Sequence, residues 1–154
     1  MLIDDEHVAA LRAALTENPE EYERLAERIA RSATPRSLDA LFAGAFVVAV
    51  YRRFGEGYNT ADIIRFVAHE RTRFDDSMDD FDPHVAEQMI LAVLGSGSID
   101  GMEDEAKAAA QIALLAGLVE DEGLDDSGLD GFIDDARKAV DQGAAGLEAL
   151  LRQQ

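Results

Sequence analysis

The sequence predicts an all-α protein, and three observations carry that prediction. Alanine and leucine are abundant while aromatic residues make up only 6% of the chain and tryptophan is absent, and alanine costs the least of any residue in a helix. Apolar side chains recur every three to four positions, and no stretch of useful length alternates with period two. The three prolines, Pro19, Pro35 and Pro83, each stand where a helix can begin or a connection can end. With 154 residues, 47% of them hydrophobic, the chain suits one core. The expected fold is a single domain over residues 1–154, an irregular bundle of seven to eight helices. Two central apolar helices are expected at about 38–53 and 106–120.

The elements follow in order. Asp4 or Asp5 caps a first helix over 6–15, with Val8, Leu11 and Leu15 on one face. Asn18-Pro19-Glu20-Glu21 starts a second, because asparagine caps, proline fits the first turn and acidic residues suit the positive dipole end. Tyr22, Leu25 and Ile29 form its apolar stripe. Ser37 is expected to cap a third helix, 38–53. It carries no charge from Ala40 to Tyr51, and a helix apolar on all sides is surrounded by others. Arg52 and Arg53 close it at the negative dipole end, and Gly55 follows.

Asn59 or Thr60 caps a fourth helix, 61–73, with Ile63, Ile64, Phe66 and Val67 inward and Asp62, Arg65, His69, Glu70 and Arg73 on the polar face. Asp82-Pro83 starts a fifth, with Val85, Met89, Ile90 and Val93 buried and Gly95 ending it. A sixth runs over about 102–119 and is uncharged from Ala108 to Val119. Asp126 or Ser127 caps a seventh, in which Leu129, Phe132, Ile133, Ala136 and Val140 keep a 3.6-residue period. Gly143 stops it, and a short eighth helix is expected at 144–152. A core helix, a glycine turn and an amphipathic helix occur twice, roughly 68 residues apart. That pattern fits two similar α-hairpins, and it equally fits any helical domain with two buried helices.

Charge is the strongest compositional signal. Net charge is −18 and unevenly placed. Residues 1–74 hold 10 basic and 12 acidic side chains, residues 75–154 hold 4 and 20, so the halves carry −2 and −16. Nucleic-acid affinity needs clustered Lys and Arg, so neither nucleic acid nor an anionic membrane is an expected partner. Arginine outnumbers lysine 12 to 2, the codon signature of a GC-rich bacterial genome. The absence of cysteine excludes disulfides, thiolate metal sites and cysteine nucleophiles. Met1 to His7 has neither a basic region nor an apolar run, unlike a signal peptide. The longest uncharged stretches, 12 residues each, fall short of the roughly 20 that a membrane span needs. A cytoplasmic protein is expected.

No catalytic set emerges. The acidic segment Asp75–Asp82 invites a calcium-loop reading. A frame from Asp76 places Asp80 and Glu87 correctly, but Met78 and Phe81 fall where an oxygen ligand and a glycine are required. A frame from Asp126 ends on Arg137. Only an irregular cation site built from Asp76, Asp79, Asp80 and Glu87 survives, and no resident metal or cofactor is expected. His7, His69 and His84 have no metal-ligand spacing to one another, and a lone helical histidine is ordinarily a surface or capping residue. No Gly-x-Ser-x-Gly elbow, Walker loop or dinucleotide fingerprint occurs; Gly55-Glu56-Gly57 follows a helix and reads as its stop.

One mildly basic stretch, 52–73, resembles a helix-turn-helix in outline, yet its polar face is nearly charge-balanced and its apolar residues are committed to the core. The candidate interaction residues are Arg52, Arg53, Arg65, His69, Arg73 and His84. The leading expectation is a non-enzymatic acidic module that binds a protein partner or a second copy of itself. A small-molecule or divalent-metal-binding domain, with a pocket near His69, His84 and Asp79–Glu87, is a second expectation. A polyanion mimic that binds a basic protein is a third.

Overall fold

A computed structural model describes residues 3–16, 18–32, 35–55, 57–73 and 82–141. Among them the chain is all-helical, with seven helices and no strand. The acidic segment holding Asp76, Asp79 and Asp80 and the eighth helix expected at 144–152 lie outside the described residues. Contacts gather the chain into two compact units, with one boundary between Val48 and Ala49 and the other after Asp121.

The first unit contains α1 (Asp5–Leu15), α2 (Pro19–Ala30), the first part of α3 (Pro35–Phe54) and α7 (Asp126–Asp141). Asp4 caps α1: its Oδ1 accepts from the backbone N–H of Glu6 at 3.0 Å and of His7 at 3.2 Å. His7 answers by accepting the Asp4 backbone N–H on Nδ1 at 3.0 Å. This is a capping box with histidine where Glu or Gln is usual. The same nitrogen lies 3.0 Å from Asp4 Oδ1. Of the two readings of a lone helical histidine, His7 takes the capping one, and it is buried at 1% exposure. The buried stripe of α1 is His7, Ala10 and Leu11, while Val8 and Leu15 are half-buried.

Asn18 caps α2 through Oδ1, which receives the Glu21 N–H at 3.5 Å, and Leu25 and Ile29 are buried. Arg28 reaches back to Glu6 of α1 at 3.1 Å. Tyr22 packs on Phe42 of α3 with ring centroids 5.9 Å apart. Helix α3 begins at Pro35, so Ser37 lies inside its first turn, buried, and does not cap it from outside. Helix α7 buries Leu129, Phe132, Ile133, Ala136, Ala139 and Val140. Its start is held one position earlier than expected: Asp125 Oδ1 accepts the Gly128 N–H at 2.7 Å, so Asp126 and Ser127 are already helical. Two contacts tie α7 to the start of the chain, an Arg12–Asp130 ion pair and an Arg137 guanidinium donating to the Ile3 carbonyl at 3.0 Å. Gly44 of α3 lies against α7. A Cβ there would be 3.0 Å from the Ala136 carbonyl oxygen and 3.1 Å from Val140 Cγ2.

The second unit contains the last turns of α3, α4 (Thr60–Arg73), α5 (Pro83–Val93) and most of α6 (Asp104–Glu122). The buried face of α4 runs through Ile63, Phe66, Val67 and Glu70, an i, i+3, i+4, i+7 stripe. Two expectations fail here for that one reason. Ile64 falls off the stripe and is 47% exposed, and Glu70, expected on the polar face, is fully buried. Space for its carboxylate comes from α6, where Gly117 stands opposite; a Cβ at 117 would overlap the Glu70 carboxyl group.

Asp82 Oδ1 caps α5 by accepting from the backbone of His84 at 2.9 Å and Val85 at 3.4 Å. Gly95, at φ +89°, adopts the left-handed conformation that ends a helix, and the Ser96 N–H closes the turn on the Leu91 carbonyl at 2.8 Å. Tyr51 donates its hydroxyl to the Val93 carbonyl at 3.2 Å, and burial pushes its phenol above the usual tyrosine range. Helix α6 buries Ala110, Ala113, Leu114, Leu115, Leu118 and Val119. Among the described residues no helix is long and apolar enough to cross a membrane.

Candidate functional site

Three elements of the second unit converge on one cleft. Helix α3 ends on Arg52-Arg53-Phe54, with basic residues at its negative dipole end. The chain then turns through Gly57, whose φ of +66° is one that glycine adopts without strain, and presents Tyr58. Asn59 caps α4, its Oδ1 accepting the Asp62 N–H at 2.8 Å. From there α4 places Asp62, Arg65, Phe66 and His69 along one face at i, i+3, i+4 and i+7. Asp121, in the last turn of α6, completes the lining. The cleft has a volume of about 390 Å³, within the roughly 300–1,000 Å³ typical of ligand clefts.

Its base is aromatic. Phe54 and Phe66 are each 4% exposed and meet edge to face, centroids 5.8 Å apart at 71°, a favoured arrangement of ring quadrupoles. The Arg53 guanidinium carbon lies 5.8 Å from the Phe54 centroid and 5.7 Å from that of Phe66, inside the roughly 6 Å reach of cation–π attraction. Its Nη1 is 3.7 Å from Asp121 Oδ2, an ion pair too long for a hydrogen bond. Along α4, Asp62 and Arg65 form a second ion pair. At the loop end the Tyr58 hydroxyl and Ser96 Oγ are hydrogen-bonded at 2.6 Å. The cleft thus offers two arginine–carboxylate pairs, an imidazole and a phenol over two phenyl rings. That array holds a charged or hydrogen-bonding group on an apolar bed.

No family model, curated protein or solved structure matches the chain.

The structure brings three of the six candidate interaction residues, Arg53, Arg65 and His69, to this cleft. Arg52 and His84 are exposed and do not line it, and the side chain of Arg73 lies outside the described residues. Glu87 lines a different groove, about 430 Å³, with Ile64, Val67, Arg71 and Pro83 between α4 and α5. Of the expected pocket near His69, His84 and Asp79–Glu87, residues 79–81 lie outside the described residues; among the described ones, His69 lines the first cleft and Glu87 the groove between α4 and α5. Among the described residues no group of three or more His, Asp or Glu side chains is placed to hold a metal ion.

Residue chemistry alone missed Phe54, Tyr58 and Asp121 as members of the site. The Phe54 and Phe66 signal was present as apolar residues flanking arginines, which reads equally as core. Asp121 is brought in by the packing of α6 and leaves no local trace.

Proposed function

We propose that the protein is a non-enzymatic interaction module that engages a basic partner protein, with the cleft formed by α3, α4 and α6 as its anchor. One observation carries this reading: the cleft sets two carboxylates, Asp62 and Asp121, around a buried pair of aromatic rings in a chain of net charge −18. A basic side chain that takes the place of an arginine now paired with one of these carboxylates keeps charge complementarity and aromatic contact together. Arginine and tyrosine at the rim are the residue types that dominate binding energy at protein interfaces. The acidity of residues 75–154 supports steering of a basic partner at long range and weighs against nucleic acid.

The test is affinity capture from the source cell on the immobilised protein, beside the Asp62→Asn, Asp121→Asn double variant. The expected result is a basic protein that elutes as ionic strength rises and is lost on the double variant. Retention that neither salt nor the double variant weakens would overturn the proposal.

A further inference from the structure

Resting on the basic-partner reading, the geometry points to a guanidinium subsite whose present occupant is the protein's own Arg53, and which an arginine side chain of the partner takes over by displacing it. The groups around Arg53 are those that recognise a guanidinium. Two ring faces lie 5.7 and 5.8 Å from its central carbon, and a carboxylate lies beside it.

Arg53 holds the place loosely. Its side chain is 49% exposed, and its nearest approach to Asp121 is 3.7 Å, so it gains no hydrogen bond from that carboxylate. A guanidinium arriving from outside is not tied to the end of α3 and can approach Asp121 within hydrogen-bond distance. Open cleft adjoins the site, and the long stem of Arg53 gives it a way into solvent. Arg65 is no equivalent occupant. It is 73% exposed and its ion pair is to Asp62 of its own helix, three positions away. A ligand anion fits the site less well, because the whole chain, at net charge −18, repels negative charge.

The experiment uses the full chain and three blocked tripeptides, Gly-Arg-Gly, Gly-Lys-Gly and Gly-citrulline-Gly, with binding followed by ¹H–¹⁵N NMR. The reporting signals are the Gly57 and His69 amides and the Arg53 Nε–H. On the wild-type protein the arginine peptide is expected to shift all three. The lysine peptide should bind more weakly, and the citrulline peptide, uncharged but of the same shape, should leave the signals in place.

Arg53→Ala removes the internal competitor. Affinity for the arginine peptide should then rise about 3- to 30-fold, the combined worth of one exposed cation–π contact and one exposed ion pair. Arg53→Gln, which keeps most of the stem, should give the same direction and covers the case in which the alanine variant folds poorly. Adding Asp121→Asn to either should abolish the gain. Unchanged or weaker binding in both Arg53 variants overturns the displacement, and so does equal binding of the citrulline peptide. Neither result touches salt-sensitive capture of a basic protein, so this inference and the reading beneath it fail separately.

Discussion

Replacing Gly117 by alanine sets two effects of known size against each other. Alanine in a helix interior is favoured over glycine by about 0.8–1 kcal/mol, so on propensity alone the variant is more stable. The new methyl group, however, would occupy the space of the Glu70 carboxyl group. Glu70 is fully buried and cannot turn into solvent without parting α4 from α6. Forcing an added carbon into a packed interior costs about 1–3 kcal/mol. Packing therefore outweighs propensity, and Gly117→Ala should destabilise the protein by up to about 2 kcal/mol. The paired variant makes the argument sharp. In a Glu70→Ala background the obstruction is gone, and Gly117→Ala should become stabilising by about 0.8–1 kcal/mol. Urea unfolding followed by circular dichroism at 222 nm, run on all four members of the cycle, measures both. A Gly117→Ala variant more stable than wild type would refute the reasoning, as would the same effect of that substitution with and without Glu70.

Three further outcomes are expected. Asp4→Ala removes the acceptor of two backbone N–H groups at the start of α1 and should cost about 1 kcal/mol in the same unfolding assay, whereas Asp4→Asn should keep most of the stability. Arg28→Ala breaks the ion pair between α2 and α1; both partners are substantially exposed, so the loss should be about 0.2–1 kcal/mol at low salt and should vanish at high salt. Tyr22 and Tyr51 should both titrate above the ordinary phenol value. Burial raises Tyr22 first and the Asp39 charge second, while burial alone raises Tyr51. A raised folded-state value means these phenols add stability that is complete below the ordinary tyrosine pKa and is lost as pH climbs through the folded-state values. A ¹³C NMR titration of the tyrosine ring carbons checks this, and ionisation of either ring at or below the ordinary value would contradict it.

Helix starts were the most legible feature, because capping is local chemistry. Asp4, Asn18-Pro19 and Asp82-Pro83 each place a side-chain acceptor within three residues of the N–H groups it satisfies. The uncharged run of α3 buries Leu41, Phe42, Phe46 and Val50 as expected, whereas the uncharged run of α6 keeps one face toward water, with Ile112 46% exposed. What period alone could not decide was the exact angle of a stripe. On α4 a rotation of part of a turn exchanges Ile64 for Glu70, and hydropathy favoured the wrong choice. The arbiter is Gly117, remote in sequence, which makes room for a carboxylate where any other residue would have filled the gap. The site divides the same way. Arg53, Arg65 and His69 stood out because they cluster within one mildly basic stretch of an acidic chain. Asp121, the partner of Arg53, is one acid among several in its neighbourhood and is singled out only by where α6 ends.

The contact at Gly44 has a consequence for how this chain can vary. On the side of α3 that carries Phe42, the ring meets the side chain of Tyr22, and side chains re-pack when one apolar group is exchanged for another of similar volume. On the side of Gly44 the nearest neighbour is the Ala136 main-chain carbonyl, which has no rotamers with which to yield, with the Val140 and Ala139 side chains beside it. A saturation library over α3 should therefore recover a lopsided helix: a broad palette of aliphatic and aromatic residues at position 42, and at 44 glycine first, alanine after it, and nothing larger.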